Sequence, residues 1–264
     1  MFNVGESTLR FILFWGGLFL FLVLELFIPY RTNTVSKLNR WVNNLAVTLF
    51  NSALIYLIFS SMIFSTVAFV QSNKVGVLNL VQAPTWVKIL TTVVFMDFML
   101  YVWHLLNHEV PFLWRFHRVH HSDLNMDVST ATRFHIGELA ISAIIKTALI
   151  FFLGASALGV LIFESAVVLN VQFHHSSLRV PRWFEAVYWA LIVPPSMHRI
   201  HHSVVINERD TNYGALFSLW DRILGTLLTR VDQDRIRIGM GAYRKPGALN
   251  FHRLLWMPFT KSVR

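Results

Sequence analysis

Three long apolar runs separated by short polar segments dominate the first 110 residues of the chain. Residues 9–28, 45–70 and 86–106 are almost entirely apolar, and each run has at least 20 residues. Because about 20 apolar residues are enough to cross a bilayer as a helix, each run predicts a membrane span. The first run has no basic segment before it and no small-residue cleavage site after it, so we expect an anchor and not a removed signal peptide.

A fourth apolar region, residues 139–173, is interrupted near Gly154. Each arm has about 15 purely apolar residues, which is short for a full span. The pattern therefore predicts a hairpin that enters the bilayer and returns to the same side. Lys146 and Glu164 lie in its two arms, which indicates that parts of the hairpin lie at the interface or face protein.

The composition agrees with a membrane protein. Hydrophobic residues make up 55% of the 264 residues and charged residues only 14%, against about 25% charged in ordinary soluble domains. The chain has no cysteine, which excludes disulfides, thiolate metal sites, iron–sulfur clusters and cysteine nucleophiles. With no repeat and no linker, residues 1–264 are expected to form one domain. The predicted fold is an all-α integral membrane helical bundle with a histidine-rich helical cap on the cytoplasmic side.

The basic residues predict the orientation in the membrane. The formal net charge is +9, and most of the 23 Lys and Arg residues follow His108. Short loops rich in Lys and Arg tend to stay cytoplasmic, which places residues 30–44 and the chain from His108 onward inside. The chain has no nucleic-acid-binding motif, so we attribute the basic balance to the membrane surface and expect no nucleic-acid partner.

Histidines form three clusters with helical spacing. Two of them repeat the pattern His-x2-His-His, which 12 histidines in 264 residues would rarely produce twice by chance. Histidines three and four residues apart lie on one helix face, and neutral imidazoles suit iron, zinc, copper and nickel. The clusters therefore predict a site for two metal ions. They comprise His104 and His108; His117, His120 and His121; and His198, His201 and His202.

Two other kinds of protein could carry so many histidines. Haem with two histidine ligands needs pairs on facing helices deep in the bilayer, whereas these clusters follow apolar runs and contain arginine and asparagine. A histidine-rich metal-binding or transport protein stays the alternative, although a transporter should place ionisable groups along several spans. Residues 45–70 contain none.

The three clusters, in this order, resemble the histidine boxes of the fatty acid hydroxylase/sterol desaturase superfamily. The resemblance covers about residues 40–230, with the boxes within about 97–230. It departs from the usual family pattern at Ile136, where proline is common, and at Ser176, where asparagine is common. Further matches are Arg133-Phe134-His135 with Glu138, Gln172-Phe173-His174, Asn212-Tyr213-Gly214, and Trp220-Asp221-Arg222 followed by Gly225-Thr226.

The resemblance implies a membrane-bound, non-haem di-iron enzyme that uses O2 to hydroxylate or desaturate a lipid C–H bond. His135 is a possible further ligand or a group that supports one, while His175 and His252 are left out. Trp103, Trp114 and Phe116 either wall a substrate channel or pack at the interface. The expected iron ligands are His104, His108, His117, His120, His121, His174, His198, His201 and His202.

Two further expectations concern charge and electrons. Two irons held by neutral imidazoles need negative charge nearby, and a nearby carboxylate can orient an imidazole N–H. The candidate carboxylates are Asp97, Asp123, Asp127, Glu138, Asp210 and Asp221.

The chain has no motif for flavin, nicotinamide or haem, so a separate ferredoxin, rubredoxin or cytochrome b5-like donor is expected. The basic residues that could dock an acidic donor are Arg179, Arg182, Arg230, Arg235, Arg237, Arg244 and Lys245.

Overall fold

The protein's structure, a computed structural model, describes residues 4–263, apart from the side chains of residues 4–6, 60 and 64. Within that range the chain is helical, with three isolated β-bridges and no strand. Helix α1 consists of Val4–Phe11, one π-helical turn at Ile12–Gly16, and Gly17–Phe27. The next helices are α2 Lys37–Asn73, α3 Val77–Leu80, α4 Thr85–Glu109, α5 Pro111–His121, α6 Ile136–Leu153 and α7 Ala157–His175.

Shorter helices follow in the last third of the chain. Three 3₁₀ turns, at Val128–Thr132, Pro246–Leu249 and Met257–Phe259, connect helices or follow them. The short helices are α8 Arg182–Tyr188, α9 Pro195–His201, α10 Ile206–Arg209, α11 Leu219–Leu224 and α12 Phe251–Trp256.

Five helical segments are long and apolar enough to cross a membrane. This confirms an all-α integral membrane fold. The two arms of the predicted hairpin are longer than the sequence pattern indicated. Its arms are helices of 18 and 19 residues, close to the roughly 20 residues that a span needs. The arms exceed the predicted length because each helix includes polar residues beyond the apolar run. These are Glu138 in α6 and His174 and His175 in α7, whose side chains contact other helices. The five segments are Ser7–Phe27, Lys37–Phe59, Thr85–Glu109, Ile136–Leu153 and Ala157–His175.

A glycine makes the turn between α6 and α7 possible. Gly154 ends α6 with a φ of 75°, a left-handed conformation that costs glycine little. A Cβ at this position would lie 2.7 Å from the carbonyl oxygen of Val75, so the close approach also requires glycine. The tight turn returns α7 to the end of the molecule where α6 begins.

The first turns of α2 hold the segment that follows the second histidine cluster. Four polar residues on one face of α2, Arg40, Asn44, Thr48 and Asn51, are buried. Arg40 donates to Asp123 at 2.6 Å and to Asp127 at 2.7 Å. With 37 residues, α2 is longer than a bilayer requires, and its polar N-terminal part extends eight residues before the predicted span.

Charge pairing keeps this buried segment ionised. Burial alone would raise the pKa of Asp123, but the adjacent Arg40 guanidinium holds it well below its ordinary value. Burial lowers the pKa of Arg133 to about 10, which still leaves it charged at neutral pH. Arg133 donates to the Val119 carbonyl at 3.0 Å and to Asn44 at 2.8 Å, so it connects α2 with α5.

Candidate metal centre

Four helices bring nine histidines together at one end of the bundle. Some of the histidines lie in the C-terminal turns of α4 and α7. The others lie in α5, in α9 and at His202, which directly follows α9. Their potential ligand atoms fall into two groups, and within each group all ligand atoms lie within 4.8 Å of one another. The first group is His104, His108, His117, His121 and His201; the second group is His120, His175, His198 and His202.

Within each group the Nε2 atoms approach closely. In the second group, Nε2 of His175 lies 2.9 Å from that of His198 and 3.1 Å from that of His120. In the first group, Nε2 of His121 lies 3.1 Å from that of His108 and 3.2 Å from that of His117. The rings therefore point their outer nitrogens at shared centres.

The two groups are in direct contact. The rings of His121 and His202, one from each group, are stacked with centroids 4.5 Å apart. His104 and His198 are also close, with centroids 6.4 Å apart. Two cations held by the groups would therefore be neighbours.

Hydrogen bonds at Nδ1 fix where the lone pairs point. His104 and His201 donate from Nδ1 to the carbonyls of Tyr213 and Thr211, each at 2.7 Å. His175 donates to the Val171 carbonyl at 2.8 Å. A carbonyl can only accept, so these rings carry their proton on Nδ1 and a lone pair on Nε2. Nε2 of His104 and of His201 are buried with no hydrogen-bond partner.

Carboxylates hold two further rings of the first group. His117 Nδ1 lies 2.9 Å from Glu138 Oε1, and His108 Nδ1 lies 3.1 Å from Asp210 Oδ1. The first group thus has four of its five rings fixed from behind, two of them by negative charge. Such partners orient a metal-binding imidazole and increase its basicity.

The second group has little of this support. The Nδ1 atoms of His120, His198 and His202 are buried and have no hydrogen-bond partner. His175 is the one member of this group with an anchored Nδ1. Packing replaces hydrogen bonding in part, because the ring of His120 stacks on Phe134 with centroids 4.4 Å apart.

Burial keeps five histidines of the two groups, all outside the membrane-spanning helices, neutral. Desolvation lowers the pKa of each of them well below the ordinary value, and neighbouring histidines lower it further. At neutral pH these rings are therefore lone-pair donors without charge. They are His120, His121, His198, His201 and His202.

The donor set fits transition-metal ions. Imidazole nitrogens that bind a first-row metal at about 2.0–2.1 Å lie about 2.8–3.4 Å from their neighbours in tetrahedral or octahedral arrangements. The measured Nε2–Nε2 distances of 2.9–3.2 Å fall in that interval. The lone pair on Nε2 of His175 can accept only one hydrogen bond, yet two other Nε2 atoms crowd it. A cation between these nitrogens would satisfy them together.

The ligand set predicted from the sequence differs from these groups at one position. Eight of the nine predicted ligands belong to one group or the other. The second group contains His175, which the sequence analysis left out, and it does not contain His174. The His174 ring instead packs against His198, with centroids 3.9 Å apart.

The possible ligand His135 lies outside both groups. Its Nε2 is 3.1 Å from the Leu255 carbonyl, and its Nδ1 accepts from the Gly137 amide at 2.9 Å, which caps α6. His135 therefore connects the start of α6 to the C-terminal segment.

Two of the six candidate carboxylates, Glu138 and Asp210, contact imidazoles. The other four bind the protein itself. Asp97 accepts from the Leu216 and Phe217 amides, and Asp221 accepts from the amides of Tyr213 and Gly214. Asp221 thereby fixes the turn whose Tyr213 carbonyl holds His104. The two remaining carboxylates, Asp123 and Asp127, pair with Arg40.

A mainly apolar cavity of about 230 Å³, here the histidine cavity, adjoins both groups. His104 and His117 of the first group line it, as do three members of the second. Of the three aromatic residues proposed for a channel, Trp103 lines the cavity. Trp114 instead donates to the Val263 carbonyl at 2.9 Å, and Phe116 packs against His135.

Comparison with known proteins assigns the chain to a family. Residues 89–226, slightly more than half of the chain, match the family model described as fatty acid hydroxylase. That segment contains every histidine of the two groups. No solved structure matched this chain.

Three curated relatives are hydroxylases or monooxygenases by name. Ornithine lipid hydroxylase OlsE of Rhizobium tropici is 32% identical over 55% of this chain and 43% of its own length. Alkylglycerol monooxygenase of Homo sapiens is 29% identical over 62% and 36%, and cholesterol 25-hydroxylase of Homo sapiens is 30% identical over 56% and 55%. The match thus spans about half of each relative or less. Together with the family model, it shows that the chain belongs to the fatty acid hydroxylase family.

Proposed function

We propose that this protein is a membrane-bound, non-haem di-iron oxidoreductase that uses O2 to hydroxylate or desaturate a C–H bond of a lipid. The observation that carries the proposal is the pair of convergent imidazole groups beside an apolar cavity. Metal ions alone would need the histidines but not the cavity. Both features together favour an enzyme over a metal-binding or transport protein.

The metal would be held by nine imidazoles, five in the first group and four in the second. Iron bound there would supply the redox chemistry that activates O2 toward an unactivated C–H bond. Hydroxylation balances as RH + O2 + 2 e⁻ + 2 H⁺ giving ROH + H2O. Desaturation of two neighbouring CH2 groups uses the same inputs and gives a C=C bond and two water molecules.

The protein's own residues would hold the metal and position the substrate. Glu138 and Asp210 bring two negative charges to an otherwise neutral ligand set, which offsets part of the charge of the metal ions. Trp103 and Leu100 line the histidine cavity from α4, where their apolar surfaces would pack against an alkyl chain and exclude water. A chain in this cavity would lie directly beside His104, His120 and His198.

The names of the relatives support a lipid as the substrate. One acts by name on an ornithine lipid, another on alkylglycerol and a third on cholesterol. These molecules have different polar groups and share a large apolar part. The apolar lining of the histidine cavity suits that shared part.

A separate electron donor would have to reduce the metal. We infer that the donor docks on an exposed basic surface formed mainly by the loop of residues 230–245. The loop contacts the third histidine cluster directly, because the Gly239 amide donates to the His202 carbonyl at 3.1 Å. An acidic donor would be attracted by the exposed cations of this surface. They are Arg179, Arg182, Arg230, Arg235, Arg237, Arg244 and Lys245.

The inferred side of the membrane is the cytoplasm, where soluble electron donors such as ferredoxins are found. The support is the excess of Lys and Arg in the part of the chain that follows His108. Labelling of an introduced cysteine in residues 230–245 and of another in residues 71–85, in intact cells, would test it. The chain has no native cysteine to interfere.

Purified protein reconstituted with iron tests the whole proposal. We expect two iron ions per chain, O2 consumption that requires a reductant, and a lipid product heavier by one oxygen or lighter by two hydrogens. His120→Ala should abolish product formation, while His252→Ala, which changes an exposed histidine outside both groups, should not. Metal binding without reductant-dependent O2 consumption would favour the metal-binding alternative and contradict the proposal.

A further inference from the structure

Two hydrogen-bond acceptors in the lining of the histidine cavity have no donor within the described part of the chain. Asn107 on α4 and Glu138 on α6 both line this cavity, and they are only 1% and 4% exposed. Among the described residues, neither Oδ1 of Asn107 nor Oε2 of Glu138 has a hydrogen-bond partner. Buried polar atoms nearly always have one, because an unsatisfied acceptor costs free energy. A donor from outside the chain would satisfy both.

The orientation of the Asn107 amide follows from the bond that it makes. Its Nδ2 donates to the Trp103 carbonyl, one turn earlier in α4, at 3.0 Å. A carbonyl can only accept, so the amide nitrogen must be the atom on that side. Oδ1 is therefore the remaining polar atom of a side chain that lines the cavity.

Glu138 likewise has one oxygen in use and one left over. Its Oε1 lies 2.9 Å from Nδ1 of His117, which leaves Oε2 as the unsatisfied acceptor. Glu138 belongs to neither histidine group, so Oε2 is not among the potential ligand atoms of either group. Asn107 and Glu138 cannot satisfy each other through these two oxygens, because an amide oxygen and a carboxylate oxygen both accept.

Both acceptors adjoin the first histidine group. Asn107 lies between His104 and His108 on α4, and Glu138 contacts His117. Three members of the second group line the same cavity, whose volume is about 230 Å³. A molecule whose O–H or N–H group binds the two acceptors would therefore have its neighbouring carbons close to the second group.

We propose that Asn107 and Glu138 form a subsite that accepts hydrogen bonds from an O–H or N–H group of the substrate, and that this group lies within a few bonds of the oxidised carbon. The inference rests on the proposed function and narrows its substrate class to lipids with such a donor near the oxidised position. A plain hydrocarbon segment would leave both acceptors buried without a donor, so it binds less tightly. The subsite thereby selects which segment of the lipid faces the histidines.

Competition between matched ligands tests the subsite without turnover. The protein as purified, in neutral detergent and without reductant, is equilibrated with tritium-labelled hexadecanol, which unlabelled ligands then displace. One pair of ligands is hexadecanol and hexadecyl fluoride, which lacks the O–H donor. The other pair is N-hexadecylacetamide and its N-methyl derivative, which lacks the N–H donor. The measured quantity is the ratio of affinities within a pair, and its comparison between variants removes the effect of partitioning into detergent.

Variants of Asn107 separate a substrate-binding role from a structural one. Asn107→Leu removes the acceptor at nearly constant size, and it should lower the preference for the donor ligand about tenfold. Asn107→Asp also loses the bond to the Trp103 carbonyl, but it keeps an acceptor oxygen and should keep the preference. A side chain that only supports α4 would give the same result in both variants. The pair of ligands with the larger change shows whether the subsite takes O–H or N–H.

Two further variants complete the test. Glu138→Gln can keep an oxygen at His117 but then places an amide nitrogen where Oε2 stands, so the preference should fall here as well. This variant decides the question if Asn107→Leu does not fold. The matched control is Leu139→Ala, which changes an apolar residue that lines the same cavity. It should weaken binding of both ligands of a pair and leave their ratio unchanged.

The outcomes distinguish this inference from the proposed function. An unchanged ratio in both Asn107→Leu and Glu138→Gln would overturn the subsite and leave ordered water as the partner of the two acceptors, while lipid oxidation would still support the proposed function. Loss of metal from Asn107→Leu would make Oδ1 a metal ligand and would also overturn the subsite. A ratio that falls in both variants of a protein that oxidises no lipid would support the donor-binding subsite and contradict the proposed function.

Discussion

The two histidine groups both consist of imidazoles, but they differ in the hydrogen bonds that hold the Nδ1 atoms of their rings. In the first group, carbonyls or carboxylates hold four of five rings at Nδ1. In the second group the Val171 carbonyl holds one ring, His175, and three Nδ1 atoms are buried without a partner. Among the described side chains, the two carboxylates that contact imidazoles, Glu138 and Asp210, both contact rings of the first group.

This difference indicates different tasks for the two groups. Imidazoles whose Nδ1 atoms are held by hydrogen bonds bind a metal tightly and tolerate little rearrangement. A set held mainly by packing can move its rings when coordination changes. Three of its four members also line the histidine cavity. We therefore expect the first group to be the tighter site and the second to be the more exchangeable one, closer to the substrate.

The largest effect should come from removing a ligand of the second group. His175→Ala should lose the metal of that group and reduce activity at least about 100-fold, because the proposed di-iron oxidation would need both ions. His174→Ala should keep both metal ions and lose activity only severalfold, since His174 lines the cavity without belonging to a group. Metal analysis of both variants checks this, and loss of metal in His174→Ala alone would reverse the assignment.

A smaller effect is expected from the carboxylates behind the first group. Glu138→Gln and Asp210→Asn remove charge but keep the shape of the side chain, and each should weaken metal binding at the first group by about 10–100-fold. The second group should be unaffected. Metal titration followed by spectroscopy measures both sites, and Asp232→Asn, which changes an exposed carboxylate paired with Arg235, is the matched control. Equal weakening of both sites would contradict the division of tasks.

A chelator should remove the two ions in order. We expect one ion per chain to leave rapidly, from the second group, and the other slowly. In Glu138→Gln the slow phase should become faster and approach the rapid one. A single phase in the unaltered protein would show that the two groups hold metal equally well.

The smallest expected effect is a loss of stability of the metal-free protein as the pH falls. Burial lowers the pKa of His120, His198 and His202 well below the ordinary value, whereas in the unfolded chain it is about 6.5. As the pH falls below about 6.5, the unfolded chain binds protons that the native protein refuses, so stability is lost; above it both states are neutral. Thermal unfolding in detergent between pH 8 and pH 5.5 measures this. An unchanged Tm would contradict neutral, buried rings.

Sequence patterns predicted the spans and most of the candidate site because both depend on local spacing. Apolar runs located four helical regions, and helical spacing placed three histidine clusters on single faces. The choice between His174 and His175 could not be predicted in this way. Adjacent residues on a helix point about 100° apart, and distant contacts, such as the bond from Gln172 to the Phe14 carbonyl, set the rotation of α7.

The roles of the carboxylates also depended on distant contacts. Six acids were candidates, and nothing in the spacing singled out Glu138 and Asp210. Glu138 faces His117 because α6 begins at a point fixed by His135 and by the contact of the Phe134 carbonyl with Asn51 on α2. The carbonyls of Thr211 and Tyr213 were missed altogether, since backbone acceptors have no signature in the sequence.

Anomalous scattering from crystals of the iron-loaded protein, collected at the iron edge, tests the central claim most directly. The account predicts two peaks per chain, one among the Nε2 atoms of His104, His108, His117, His121 and His201, and one among those of His120, His175, His198 and His202. A single peak, or peaks away from these nitrogens, would contradict it.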